Sequence, residues 1–198
     1  MPRPRRGERR QEILEALARL LEEAPGEPIT TATLARAVGV SEAALYRHFP
    51  SKARMYDELF TFVEDALFSR VNRICEEHKA AEPRLMQMLT LWLAFADKNH
   101  GLAYLLEGTA LAGEADRLRE RLAQIYERFE THLRQVLRES PLLPDAPAPA
   151  VCAQLLLACV DGRMAQAVRT RFRISPLDNW DQQWRVLRAA LFGTESAA

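Results

Sequence analysis

From Ile29 to Lys52 the chain reads ITTATLARAVGVSEAALYRHFPSK. Two short helices are expected here, Thr31–Val38 and Glu42–Phe49, joined at Gly39 and stopped by Pro50. Leu34 falls at the fourth position of the first helix, where an apolar side chain must face inward. Ala35 follows, at a place where two closely crossing helices leave room only for a small residue. Gly39 occupies the turn, which needs a residue that tolerates a left-handed backbone. Val38, Val40 and Leu45 close a small core beneath, and Ser41 is placed to cap the second helix. All these constraints meet at their required offsets, and the pattern is that of a helix-turn-helix.

Groove geometry turns this pattern into an expectation about chemistry. A helix fits the major groove of DNA with its N-terminal residues toward base edges, while neighbouring groups hold phosphates. The second helix exposes Glu42, Ala43, Tyr46, Arg47 and His48. Small Ala43 and Ala44 let the backbone approach closely, and Ser41 joins them at the helix start. Thr30 and Thr31 offer hydroxyls and backbone N–H groups to a phosphate. Tyr46, His48 and Lys52 are the expected phosphate contacts on the far side. Partial core packing competes with that role for Tyr46, and a solvated helix start competes with it for Lys52. Upstream, residues 1–10 hold five arginines against Glu8, a local excess of +4 in a chain whose net charge is zero. Arg5, Arg6 and Arg9 of this arm are expected to enter a minor groove or to add counterion release.

Working outward, nearly every segment reads as helix. Arg9–Glu23 carries Ile13, Leu14, Leu17, Leu20 and Leu21 at three- and four-residue spacing, and Pro25-Gly26-Glu27-Pro28 ends it. After Ser51 a long helix runs from Lys52 to about Glu77, and another from about Glu82 to Lys98, with Asn99-His100-Gly101 as a break. A short helix follows, then a long one from about Glu114 to Arg138, a proline-rich loop over 140–149, and two terminal helices at about Ala150–Arg171 and Asp178–Phe192. The count is nine helices with no strand-like alternation, an all-α chain. The plausible boundary lies inside the long helix, giving a DNA-binding head at 1–52 and a helical body at 53–198.

The terminal helices are apolar along one face, with Leu155, Cys159, Trp184, Leu187 and Leu191 as candidate contacts to a second copy and Gly162 permitting close approach. In the body, Trp92, Phe95, Tyr104, Leu105, Tyr126 and Phe129 either line a cavity or fill it. Cys75, Cys152 and Cys159 form no CxxC pair, which argues for a reducing cytoplasm over a disulfide framework. No apolar run approaches the roughly 20 residues that span a bilayer, and no membrane partner is expected. Four histidines lie on different elements without thiols or paired carboxylates at ligand spacing. No GxSxG, HExxH or phosphate loop is present. No catalytic residue, metal site or cofactor is therefore expected.

The stretch from Ile29 to Lys52, with Arg54–Leu59 after it, resembles the DNA-binding domain of the TetR family. That resemblance implies a nine-helix fold whose last two helices pair with a second copy as a four-helix bundle. Beyond the head, Phe62–Leu67, Arg70–Asn72, Asn99, Gly101-Leu102, Gln124–Arg128, His132–Glu139 and the tail around Trp184 are similar to the nucleoid occlusion factors within that family. Such proteins bind DNA and restrain the tubulin-like division protein FtsZ. The resemblance implies a homodimer on a palindromic site, one or two dimers to a site, in the cytoplasm on the nucleoid. It also implies a partner surface at Phe62, Arg70, Leu91, Lys98 and Asn99, with Lys98 standing where an arginine is expected. From the residues alone, Phe62 reads equally as core. A filled or unused ligand pocket is the expectation. The rival reading is a ligand-responsive TetR-type transcriptional repressor, since the same head serves both.

Overall fold

The computed structural model describes residues 6–193 apart from 26, 112, 113 and 115, and of Arg6 the backbone alone. Nine α-helices and one 3-10 turn are found among the described residues, with no strand. They are α1 (Arg6–Glu23), α2 (Thr31–Val38), α3 (Glu42–His48), α4 (Lys52–Glu77), α5 (Ala81–Lys98), α6 (His100–Leu106), α7 (Asp116–Arg138), α8 (Pro149–Arg169) and α9 (Trp180–Phe192), with the 3-10 turn at Thr109–Leu111 between α6 and α7. The expected all-α, nine-helix order is what is observed. The chain divides into two compact units, Met1–Asp65 with Asn99–Ala123, and Ala66–Lys98 with Gln124–Ala198.

In the first unit, the apolar stripe of α1 buries Ile13, Ala16, Leu17 and Leu21. Leu34, Ala35 and Leu45 from α2 and α3 are buried with Phe49, as are Met55, Tyr56, Leu59, Phe60 and Val63 from the start of α4. The expected break after Lys98 is found at Asn99, and His100 and Gly101 already belong to the short helix α6 that follows. Gly101 is buried, and a Cβ there would run into the backbone carbonyl of Ala18. The glycine is needed because α6 crosses α1 almost backbone to backbone, with His100 Nδ1 3.2 Å from Glu22 beside the crossing.

In the second unit, α5 is the central helix and buries Leu85, Met88, Leu89, Trp92, Leu93, Phe95 and Ala96. The Trp92 ring packs on Tyr126 and Phe129, with centroids 5.1 and 4.6 Å away, so these candidate cavity residues fill the space between them. The last helix, α9, is fastened to α5 by Trp180 Nε1 donating to Thr90 Oγ1 (2.8 Å) and by an Arg188–Glu82 ion pair (2.5 Å). Arg163 of α8 donates to the carbonyls of Ser175, Pro176 and Asp178, which shapes the loop between α8 and α9.

Two expectations about the terminal helices need correction. Over its 21 residues α8 is long and apolar enough by composition to cross a membrane, which the sequence reading had not found. Asp161 and Arg163 interrupt it, with Asp161 accepting from the Tyr126 hydroxyl at 2.8 Å. Trp184 and Leu191 are 6% and 5% exposed, turned inward, and so offer no area to a second copy. Leu155 is exposed, and Cys159 and Leu187 are half-buried.

Candidate nucleic-acid interface

Local chemistry builds the helix-turn-helix as its sequence spacing requires. Thr30 is extended (φ −87°, ψ 154°) and its Oγ1 accepts from the Thr33 amide at 3.0 Å, capping α2. Gly39 ends α2 in the left-handed region at φ 72°, where a β-carbon would be strained. Val40 then donates back to the Ala35 carbonyl at 2.9 Å, which closes the turn. Ser41 is again extended and its Oγ accepts from the Ala44 amide at 3.2 Å, capping α3. Ser51 does the same for α4 through the Arg54 amide at 3.3 Å.

Long-range bonds then fix the angle of α3. Arg10 reaches from α1 to donate to the His48 carbonyl (2.6 Å) and to Glu58 (2.8 Å), with its guanidinium 4.3 Å from the centre of the Phe49 ring. One arginine thus joins α1, the end of α3 and α4, and it belongs to the scaffold of the head. Thr31 Oγ1 donates to Glu42 Oε2 at 2.5 Å, fastening the first turn of α2 to that of α3.

Of the expected DNA contacts, Thr30, Ser41, Ala43 and Tyr46 are exposed, and Thr31, Ala44 and His48 are half-buried. Tyr46, at 45% exposure, lies on the surface of α3 and not in the core. Arg9, Ser41, Ala44 and His48 come together along a cleft of about 480 Å³ beside the turn. Arg47 lines the same cleft and is exposed, so it adds a cation to the expected contacts. Arg9 also pairs with Glu12 at 2.7 Å. Arg5 and the side chain of Arg6 lie outside the described residues. Lys52 is not a freely solvated helix start, because its ammonium is ion-paired with Glu114. No sequence rule joins residues 62 positions apart, and Glu114 was missed for that reason.

A second surface feature of this unit is an apolar groove of about 440 Å³, lined by Leu14, Ala18, Leu59, Phe62, Asn99 and Leu102 among others. Phe62 is 49% exposed there, so it is not ordinary core. The groove brings Phe62 and Asn99 together. Of the other residues assigned to the partner by resemblance, Arg70 and Lys98 are exposed and Leu91 is half-buried.

Comparison with known proteins agrees with this architecture. Residues 13–59 match the family of bacterial regulatory proteins named for tetR, and residues 79–192 match the SlmA-like C-terminal domain of tetracyclin repressor-like proteins. Nucleoid occlusion factor SlmA of Marinomonas sp. (strain MWYL1) is 48% identical over 186 residues, covering 92% of this chain and 94% of that protein. Its counterpart in Shewanella pealeana is 49% identical with the same coverage. The fatty acid degradation regulator FadR of Bacillus halodurans shares the fold, with a TM-score of 0.78 at 15% identity over 90% of this chain and 94% of that one. The MbdR regulator of Azoarcus sp. CIB does likewise, with a TM-score of 0.77 at 17% identity over 92% and 98%. With a tetR-type head and a near-full-length likeness of about one residue in two, the chain belongs to the SlmA family of nucleoid occlusion factors.

Proposed function

We propose that this protein binds double-stranded DNA through residues 1–52 and, once seated on the chromosome, antagonises assembly of the division protein FtsZ, so that no septum forms over the nucleoid. Residues 53–198 supply the dimer contact and the partner surface. The near-full-length identity to nucleoid occlusion factors carries this reading, because it extends through the body as well as the head. The reading places the protein in the cytoplasm, on DNA, as a homodimer spanning the two halves of a palindromic site.

The apolar groove supports the partner assignment. An exposed aromatic ring in a concave apolar surface is the kind of anchor that a partner segment buries, and cations elsewhere on a partner surface set encounter rate and orientation more than affinity. Phe62 is that ring, Asn99 offers an amide beside it, and Arg70 and Lys98 are exposed cations. Lys98 presents a point charge where an arginine would present a fork, so it cannot grip a carboxylate through two parallel bonds.

The test begins with a map of where the protein sits on its own chromosome. Many dispersed sites support nucleoid occlusion, whereas one or two sites over promoters would point to a local repressor. A duplex from a mapped site is then used in FtsZ sedimentation assays. The wild-type protein with this duplex is expected to reduce pelleted FtsZ polymer. Arg70→Asp and Phe62→Ala are expected to bind the duplex normally and to leave polymer intact. Full antagonism by both variants would overturn the assigned partner surface.

A further inference from the structure

Lys52 stands on the first turn of α4, directly after the Ser51 cap. A phosphate arriving there would meet both the ammonium and the positive end of a 26-residue helix. Yet the ammonium is already engaged by the Glu114 carboxylate. The pair is sheltered, with the side chains 23% and 13% exposed. The same ammonium lies 5.8 Å from the centre of the Tyr56 ring. Burial, and then the charge of Glu114, raise the Tyr56 hydroxyl above its ordinary value.

Two further ion pairs show how Glu114 is held. Arg117 pairs with Asp57 at 2.9 Å, and Arg121 pairs with Glu64. The α4 partners 52, 57 and 64 ascend in the same order as 114, 117 and 121, so the two segments run side by side in one direction. Releasing Lys52 from Glu114 would undo one rung and leave two in place. An exchange at Lys52 can therefore be local and need not detach α7.

Charge balance makes the exchange consequential. A lysine paired with a sheltered carboxylate presents little net charge to a duplex. A phosphate brought against the intact pair would also face the like charge of Glu114 at short range. We propose that Glu114 is a positioning residue of the DNA interface: it holds Lys52 in the free protein and yields it to a backbone phosphate, so that Glu114 sets DNA affinity. This rests on the reading of the head as a DNA binder with Lys52 among its phosphate contacts.

The test uses the full-length wild type, Glu114→Gln, Lys52→Gln and the double variant, with a fluorescent duplex spanning one mapped chromosomal site. Glu114→Gln is expected to bind more tightly than wild type at low salt. Lys52 reaches the same phosphate in both proteins, so the slope of log affinity against log salt should match the wild type in Glu114→Gln and flatten by about one in Lys52→Gln. In the Lys52→Gln background the same substitution should bring a smaller gain, only the relief of like charge, because the group it liberates is gone. Hydrogen exchange gives a readout apart from affinity. The Glu114 amide, now bonded to the Leu111 carbonyl at 3.1 Å, should exchange faster when DNA is added to wild type, and be fast already in free Glu114→Gln. Unchanged affinity in Glu114→Gln, or an equal gain in the Lys52→Gln background, would overturn the proposal. Normal binding by Lys52→Gln would overturn it too, by removing Lys52 from the interface. A wild type that binds no DNA at all would overturn the functional reading beneath it.

Discussion

Thr30 carries two duties on one hydroxyl, the cap of α2 and the expected phosphate contact. Its hydroxyl accepts from the Thr33 amide, so Thr30→Ala removes a helix cap worth about 1 kcal/mol in urea unfolding. Thr30→Ser keeps that oxygen and should match the wild type within a few tenths of a kcal/mol. DNA affinity measured on the two variants should follow the cap, with Thr30→Ala weakened and Thr30→Ser retained. Equal affinity in both would remove Thr30 from the interface. The cap was legible in the sequence because capping acts over three residues, and Ser41, Ser51 and Gly39 were legible for the same reason. Arg10 and Lys52 were not. Each looked like a free cation of a basic head, and each is committed to a carboxylate far along the chain, Glu58 and Glu114. Electrostatic partners of this kind are fixed by tertiary packing, and local spacing carries no record of them.

At the scale of elements, glycine marks the limit of what patterning shows. Gly39 and Gly101 both interrupt apolar periodicity, yet one ends a helix with φ 72° and the other sits within a helix at its crossing with α1. Only the neighbour across the crossing distinguishes them. The junction of α4 and α7 within the second unit supports a prediction of its own. His132 stacks on Phe68 with ring centroids 5.6 Å apart, and the Arg128 guanidinium lies 3.9 Å from the centre of the same ring. Burial, and then the Arg128 charge, lower the His132 pKa below its ordinary 6.5. Glu76, Arg84 and Glu139 share the cleft it lines. In the unfolded chain the ring protonates near 6.5, and in the folded chain only at lower pH. The contribution of His132 to stability is therefore complete above 6.5 and is lost as pH falls through 6.5 toward the folded value. Stability measured by urea unfolding at pH 7.5 and 5.5 should fall less in His132→Phe, which keeps a stacked ring and cannot titrate. An identical fall in both proteins would show that His132 does not couple to folding.

For the whole molecule, the question is which face of the terminal helices meets a second copy. Periodicity assigned Trp184, Leu187 and Leu191 along with Leu155 and Cys159, because a helix with apolar residues on two faces does not say which one is buried at home. The structure separates them. Trp184 and Leu191 turn inward, whereas Val151 and Leu155 of α8 and Val186 of α9 are exposed, Val186 by 71%. Val151, Leu155, Cys159 and Gly162 follow at steps of four, four and three, one stripe of α8. A Cβ at Gly162 would meet nothing within 4 Å, so no neighbour in its own chain explains a glycine in mid-helix. Such a glycine costs about 0.5–1 kcal/mol relative to alanine, a cost that close approach of a second α8 would offset. Leu155→Glu and Val186→Glu are therefore expected to sediment as folded monomers with unaltered helical circular dichroism. Their affinity for a palindromic site should collapse toward that for a half-site, because two heads are no longer joined. Trp184→Ala should instead lose about 3–5 kcal/mol of stability through the cavity it leaves. If Leu155→Glu and Val186→Glu remain dimers, the two copies meet elsewhere, and the exposed stripe of α8 awaits a different partner.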